Sequence, residues 1–272
     1  MITVIIPTYR NPAYLDLCLK SITENSVLDS TRIVVTVDGY VEESESVMDK
    51  YPQVTFLPLE QNMGMQYALN LAVMQAETEY MFVVNDDNVF PTQWDSRLAD
   101  VIMAEEHSKY PQNWVLTVNQ IEPTGPGMFN FPVADFGQTL ETFQYETYLK
   151  SEPTFASNTV TTDGHIFPFV IRKKHYMAVG GFDTFYDSPN ICDWDFFLKL
   201  ELLGFTFKRT HALHLYHFGS VSTKKNAEST TFRTREMAAM EQYIWKWGTS
   251  PYNAPYTNSK TPPNKQFRGF VV

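Results

Sequence analysis

Acids and amides follow short apolar runs at three points in this chain. Ile2–Tyr9 closes on Pro7, Thr8, Tyr9 and Arg10, Ile33–Val37 is followed by Asp38-Gly39, and Tyr80–Val84 runs into Asn85-Asp86-Asp87-Asn88. Asp and Asn often do no more than close turns, and for Asp38 that account serves as well as a ligand role. Asp86 and Asp87 ask for more, because adjacent acids after a buried strand repel each other unless a positive charge sits between them. Hard carboxylate oxygens suit Mg²⁺ or Mn²⁺. The sequence has neither a G-x-x-x-x-G-K-[ST] loop nor a G-x-G-x-x-G turn after a strand, so a nucleoside diphosphate bound here needs a divalent cation in place of a glycine-rich cradle. The carboxylates at successive strand ends therefore point to one shared, cation-dependent site.

Three histidines, His211, His214 and His217, suggest zinc at first sight. In a regular strand His214 faces away from the other two, and His211 and His217 stand about 20 Å apart at ~3.3 Å per residue. A three-histidine centre is therefore not expected. Trp194, Phe196 and Phe197 could stack on a sugar but suit a core equally. Arg233 and Arg235 read as a solvated helix face.

The elements that must position these groups alternate in period. The β-branched run at 2–9 reads as a strand covered on both faces, 33–37 as a second buried strand, and 54–59, 80–84 and 114–118 as further strands. Helices read between them: from Asn11-Pro12 with Leu15, Cys18, Leu19 and Ile22 on one face, at 42–51, at 65–76, and after Pro91 with Trp94, Leu98, Val101 and Ile102. Such alternation implies a mostly parallel sheet with helices on both faces, and ligands at the carboxyl ends of its strands where strand order reverses. The pattern loosens over 122–164. It resumes with a strand at 166–172, a short helix at 174–179, an amphipathic helix Phe196–Leu203 stopped by Gly204, a strand at 205–217 and a helix at 227–247. The reading gives one α/β domain over 1–248, with a first half (1–121), a second half (122–222) and a C-terminal helix (226–247). A Pro-rich tail (249–272) follows.

Composition sets outer limits. The 272 residues carry a formal net charge of −10, which disfavours a nucleic-acid partner. Aromatic residues make up 15%, enough for both a core and ring-stacking platforms. Two distant cysteines, Cys18 and Cys192, point to a reducing, cytoplasmic setting. No leader peptide or run of roughly 20 apolar residues is read, so a soluble chain is expected, with peripheral contact to a membrane left open.

Taken in order, these pieces resemble inverting glycosyltransferase family 2. The match runs through Ile2–Arg10 with Asn11-Pro12, Val34–Gly39, Asn62-x-Gly64 with Ala68 and Asn70, and Val83–Pro91. It continues through Gly180-Gly181-Phe182-Asp183, Cys192-Asp193-Trp194-Asp195 and His217-Phe218-Gly219-Ser220. The resemblance implies a GT-A fold with a nucleotide-sugar-binding half at 1–121 and an acceptor and catalytic half at 122–222, a UDP- or dTDP-sugar donor, a divalent cation such as Mn²⁺ or Mg²⁺, a glycan or other hydroxyl acceptor, and inversion at the anomeric carbon. It places Pro7, Thr8, Tyr9 and Arg10 with the donor, Asp38 on the base, and Asn62 and Gly64 in a loop over the nucleoside. Asn85-Asp86-Asp87 takes the D-x-D position, with Asp86 near the ribose or donor sugar and Asp87 and His217 at the metal. The same resemblance gives the catalytic base to Asp193 or Asp195, where Cys192 replaces a usual acid, and puts Gly181 and Trp194 beside the acceptor. A helix start at this point is expected to keep the base ionised; the lesser alternative is that the two acids merely cap the Phe196–Leu203 helix. Two rivals remain: a sugar nucleotidyltransferase, whose glycine- and arginine-rich loop is missing, and a catalytically silent nucleotide- or glycan-binding module.

Overall fold

The computed structural model describes residues 2–108, 113–125, 130–164, 166–186, 188, 190–219 and 230–251. Ser220, the segment through Ser222, the expected helix start at 227–229 and the tail from 252 lie outside them. The chain runs β1 (Ile2–Thr8), α1 (Pro12–Glu24), β2 (Arg32–Asp38), α2 (Glu45–Lys50), β3 (Thr55–Leu59), α3 (Met65–Gln75), β4 (Tyr80–Val83), β5 (Asn88–Val89) and α4 (Trp94–Glu106). It continues through β6 (Trp114–Ile121), α5 (Tyr145–Ser151), β7 (Val160–Thr161), β8 (Phe169–Arg172), α6 (Lys173–Ala178), α7 (Ile191–Leu202), β9 (Thr206–His217) and α8 (Thr230–Trp247).

These strands form one sheet in the order β3-β2-β1-β4-β8-β6-β9-β5, with β7 also on β9. From β3 to β4 every pairing is parallel, and β6 pairs parallel with β9. β8 runs against both β4 and β6, which leaves those two pointing the same way. The sheet is thus mostly parallel, with β5, β7 and β8 reversed. From β1 the chain steps outward to β2 and β3, then returns across β1 to β4. The order therefore reverses between β1 and β4, where a doubly wound sheet opens a crevice.

Packing on the two faces follows the apolar spacing. Leu15, Cys18, Leu19 and Ile22 of α1 pack with Val4, Ile6, Phe82 and Trp94 beneath one face. Leu69, Ala72 and Val73 of α3 and Phe196, Phe197 and Leu200 of α7 pack on the other, against Ile5, Val83 and Phe169. α8 joins that second face through Ala239, Tyr243 and Trp247.

The structure extends the sequence expectations in four places. β6 runs to Ile121, carrying the polar but buried Asn119 and Gln120. The 122–164 segment contains α5 and β7. α7 starts at Ile191 rather than at Phe196, so Asp193 lies within its first turn and Asp195 inside the helix. The largest difference concerns the histidines. The β6–β9 register jumps from Val118↔Thr210 to Asn119↔His214, and this bulge breaks the alternation assumed for a regular strand. His211 and His214 consequently meet the same amide, with Asn119 Nδ2 3.0 Å from His211 Nδ1 and 3.1 Å from His214 Nε2. His217 lies beyond the bulge and makes different contacts.

Candidate functional site

At the reversal of strand order, the ends of β1 and β4 are tied together by side chains. Thr8 Oγ1 donates to Asp86 Oδ2 at 2.6 Å, and Asn11 Nδ2 donates to Asp86 Oδ1 at 3.1 Å. Asn11 stands at the N-cap of α1 but makes no side-chain cap bond; its amide serves Asp86 instead. Burial and the neighbouring Asp87 push the Asp86 carboxyl up to about 7, against the pull of those two hydrogen bonds. The expected repulsion between adjacent acids is therefore present.

The turn after β4 is held from within, since Asn88 Oδ1 accepts the Asn85 N–H at 3.1 Å. Two residues of β5 then pair with the end of β9, Asn88 opposite His217. That pairing sets Asp87 beside the imidazole, with Oδ1 3.5 Å from His217 Nε2. The ring's Nδ1 is 2.9 Å from Glu122 Oε1. Tyr14 of α1 borders the same turn, and burial, Glu141 and Asp87 all raise its phenol.

The end of β2 is organised differently. Asp38 is buried, and its two oxygens accept the backbone N–H groups of Met63 at 2.6 Å and Gly64 at 3.0 Å. It thus anchors the loop carrying Asn62 and Gly64. Gly39, at φ 82°, is required there because a Cβ would sit 2.7 Å from the Asn62 nitrogen. Outside this loop, Arg10 stacks over the Tyr40 ring at 4.3 Å and pairs with Glu43 at 2.9 Å, while Tyr9 meets Tyr40 edge-on. Thr8 and Asp38 end β1 and β2 and Asp86 lies in the turn after the neighbouring β4, so the row spans about two strand spacings, roughly 10 Å.

The loop leads into α3, which reaches the N-terminus of α7. Gln66 Nε2 donates to the Ser188 carbonyl at 2.7 Å, and Asn70 bonds Phe182 through both its amide atoms, at 2.8 and 2.9 Å. Gly181 is buried in this turn at φ 65°, and a Cβ would collide with the Asn70 amide. Its carbonyl accepts from Lys199 Nζ at 2.6 Å. Trp194 is half-buried against the core.

The two acids of α7 have unlike surroundings. Asp195 is fully buried and accepts from Tyr186 Oη at 3.0 Å, Trp247 Nε1 at 2.8 Å and Lys246 Nζ at 2.7 Å, with Lys199 at 3.4 Å. Asp193 accepts only a long contact from the Cys192 thiol at 3.6 Å among its hydrogen bonds given by the structure. Burial pushes its carboxyl up to about 8, the thiol lowers it and Glu236 of α8 raises it further. The helix terminus does not keep this acid ionised at neutral pH as its position in the sequence suggested. A helix end contributes about 0.3–1 kcal/mol, too little to offset desolvation of a carboxylate.

Residues 3–185 match the sequence family described as glycosyl transferase family 2. The chain belongs to that family. Its sheet is shared with GT-A-like neighbours. The N-terminal part of S. aureus TarS, in a structure described as a complex with UDP, superposes with a TM-score of 0.58 at 17% identity, covering 95% of this chain and 75% of that one. The corresponding structure described as a complex with UDP-GlcNAc gives 0.58 at 16%, covering 95% and 76%. A teichoic acid poly(glycerol phosphate) polymerase of Staphylococcus epidermidis is 32% identical over 94 residues, which is 32% of this chain and 13% of that protein. An uncharacterized glycosyltransferase of Haemophilus influenzae is 23% identical over 201 residues, 74% of this chain and 62% of that protein. The chain thus spans less than two thirds of either relative. No helix among the described residues is long and apolar enough to cross a membrane.

A divalent cation can be tested against the donor atoms. Among the described residues no group of three or more His, Cys, Asp or Glu side chains is arranged to hold a metal. Mg²⁺-type sites commonly use one or two protein ligands and take the rest from phosphate and water. Asp87 Oδ1 and His217 Nε2, at 3.5 Å, are too far apart for a good hydrogen bond and suitably spaced for two ligands of one ion. A carboxylate behind the histidine completes the usual supporting arrangement. The donor set fits.

Strand-end reasoning singled out Thr8, Asp38, Asp86 and Asp87 and passed over Glu122, Gln66 and Glu236, whose contacts are described above. Glu122 was legible by the same rule, since it is the acid that follows β6 once that strand is carried to Ile121. Gln66 and Glu236 lie on exposed-looking helical stretches, and nothing in the sequence pattern marks them.

Proposed function

We propose that this chain transfers a sugar from a UDP-sugar to a hydroxyl of a glycan or polyol-phosphate acceptor, with inversion, using a divalent cation held by Asp87 and His217. One observation carries the reading: the Asp87–His217 pair beside the point of strand-order reversal. UDP is favoured because the TarS structures that share the fold are described as complexes with UDP and UDP-GlcNAc. A polyol-phosphate acceptor draws on the teichoic acid polymerase relative. Residues 1–248 serve as one catalytic unit in this reading.

In the reaction, the acceptor oxygen bonds to the anomeric carbon as the bond from that carbon to the diphosphate oxygen breaks, and the acceptor proton passes to Asp193. Asp87 and His217 would hold the cation, which would supply positive charge to the leaving diphosphate. Pro7, Thr8, Tyr9 and Arg10 line the donor side, and Asp38 acts by holding the loop of Asn62 and Gly64 over the nucleoside. Asn85 and Asp86 complete the donor side of the turn. Asp195 anchors α7 to α8 rather than reacting, and Gly181 fixes the turn that leads to the half-buried Trp194. For the acceptor, the reading favours the 122–164 segment, where a cleft of about 390 Å³ is lined by Asp135, Gly137, Gln138, Thr139, Thr142 and Gln144.

The test is release of UDP from a panel of UDP-sugars, with Mn²⁺ or with EDTA, in the wild type and in Asp193→Asn. Cation-dependent release, lowered about 10²-fold or more in the variant, is the expected result. No release from any sugar nucleotide, with or without a polyol-phosphate acceptor, points to a silent binding module and removes the proposal.

A further inference from the structure

We infer that Glu122 is a positioning residue that fixes the tautomer and aim of His217, presenting Nε2 of the ring toward Asp87. Its part in cation binding rests on the function proposed above; its control of the tautomer does not.

Glu122 follows directly on β6, where Ile121 pairs with Tyr216, so it stands level with His217. Its backbone is held from the other side as well: its N–H donates to Pro132 O at 3.1 Å, and its carbonyl accepts from Ala134 N at 3.1 Å. The carboxylate therefore projects from a fixed point. His217 is fixed too, by the β5 pairing that sets it opposite Asn88.

Between the two, Nδ1 and Oε1 are 2.9 Å apart. An ionised carboxylate only accepts, so the hydrogen of this bond lies on Nδ1. In the neutral ring that leaves a lone pair on Nε2. Nε2 then faces Asp87 Oδ1, 3.5 Å away. A carboxylate on the far nitrogen orients an imidazole and makes its other nitrogen a better ligand.

The experiment has two readouts on wild type, Glu122→Ala and Glu122→Gln. The first is a long-range ¹H–¹⁵N correlation spectrum of the cation-free protein, with the ring assigned through His217→Asn. The wild type should show hydrogen on Nδ1 only. Glu122→Ala should show a mixed or reversed tautomer, and Glu122→Gln, whose amide oxygen can still accept, should keep the wild-type form. Hydrogen on Nε2 in the wild type, or an unchanged tautomer in Glu122→Ala, overturns the inference. The second readout is Mn²⁺ affinity in the presence of UDP, followed by the spectroscopic signal of free Mn²⁺. Glu122→Ala should weaken it roughly 10–100-fold, with Glu122→Gln between. Should Glu122→Ala fail to fold, Glu122→Met, of similar size but unable to accept from Nδ1, takes its place, and an unchanged tautomer there overturns the inference. A wild type that binds no Mn²⁺ defeats the proposed cation site instead, and the tautomer still decides the case of Glu122.

Discussion

Asp193 and Asp195 are two residues apart, yet desolvation and partners give them opposite characters. Asp195 lies between two lysines and two further donors, so Asp195→Asn leaves the buried Lys199 without its counter-charge, while Lys246 keeps Asp183. Loss of one partner from a buried ion pair costs about 3–5 kcal/mol, and urea denaturation should show a deficit of that order. Asp193→Asn should leave the urea midpoint within error of the wild type or higher while kcat falls. If the two variants exchange these signatures, the assignment of the base is reversed. The raised Asp193 carboxyl also sets a pH dependence. The base works deprotonated, so kcat/KM should rise about tenfold per pH unit up to about 8 and then level off; a profile already flat from pH 6 contradicts this. Asp38 was legible as a strand-end acid, but its engagement was not, because the loop N–H groups it accepts lie more than twenty residues along the chain. Asp38→Ala should lower nucleotide affinity and leave the preference among bases unchanged; a change of base preference in calorimetric titrations would show direct contact.

At the scale of elements, the long periodic segments were legible and the short ones were not. α1, α3 and α4 announced themselves through apolar spacing, β1 and β2 through buried β-branched runs, and β4 through a short apolar one. β5 is two residues long and carries no period, yet it brings Asp87 to His217. The bulge in β9 was equally hidden, since it shows only in the register against β6. α7 began early because Ile191 and Cys192 are buried, which the run starting at Phe196 did not reveal. α8 has a part that its composition does not disclose. Its Glu236 bonds Ser188 and raises Asp193, and its Lys246 and Trp247 hold Asp195. Glu236→Gln removes a negative charge near the base, so the acid limb of kcat/KM should move to lower pH. A limb that stays in place shows that burial alone sets it.

For the whole molecule, the reversal of strand order gathers residues from the ends of β1, β4, β6 and β9 onto one edge. The antiparallel β8, wedged between β4 and β6, is what sets the second half of the sheet beside the first. Sequence periodicity could supply the strands and the parallel bias but not this insertion, because pairing between distant segments leaves no local trace. Ligand binding to such a site should stabilise the entire fold by mass action, by about 2.7 kcal/mol at a hundredfold excess over Kd. The central claim is that the nucleotide diphosphate is held through a cation at Asp87 and His217. Calorimetric titration of UDP into wild type and Asp87→Ala, with and without Mn²⁺, tests it most directly. The account predicts that Mn²⁺ strengthens UDP binding to the wild type by at least tenfold, and that Asp87→Ala, still folded, loses that gain. Equal UDP affinity in all four titrations contradicts it.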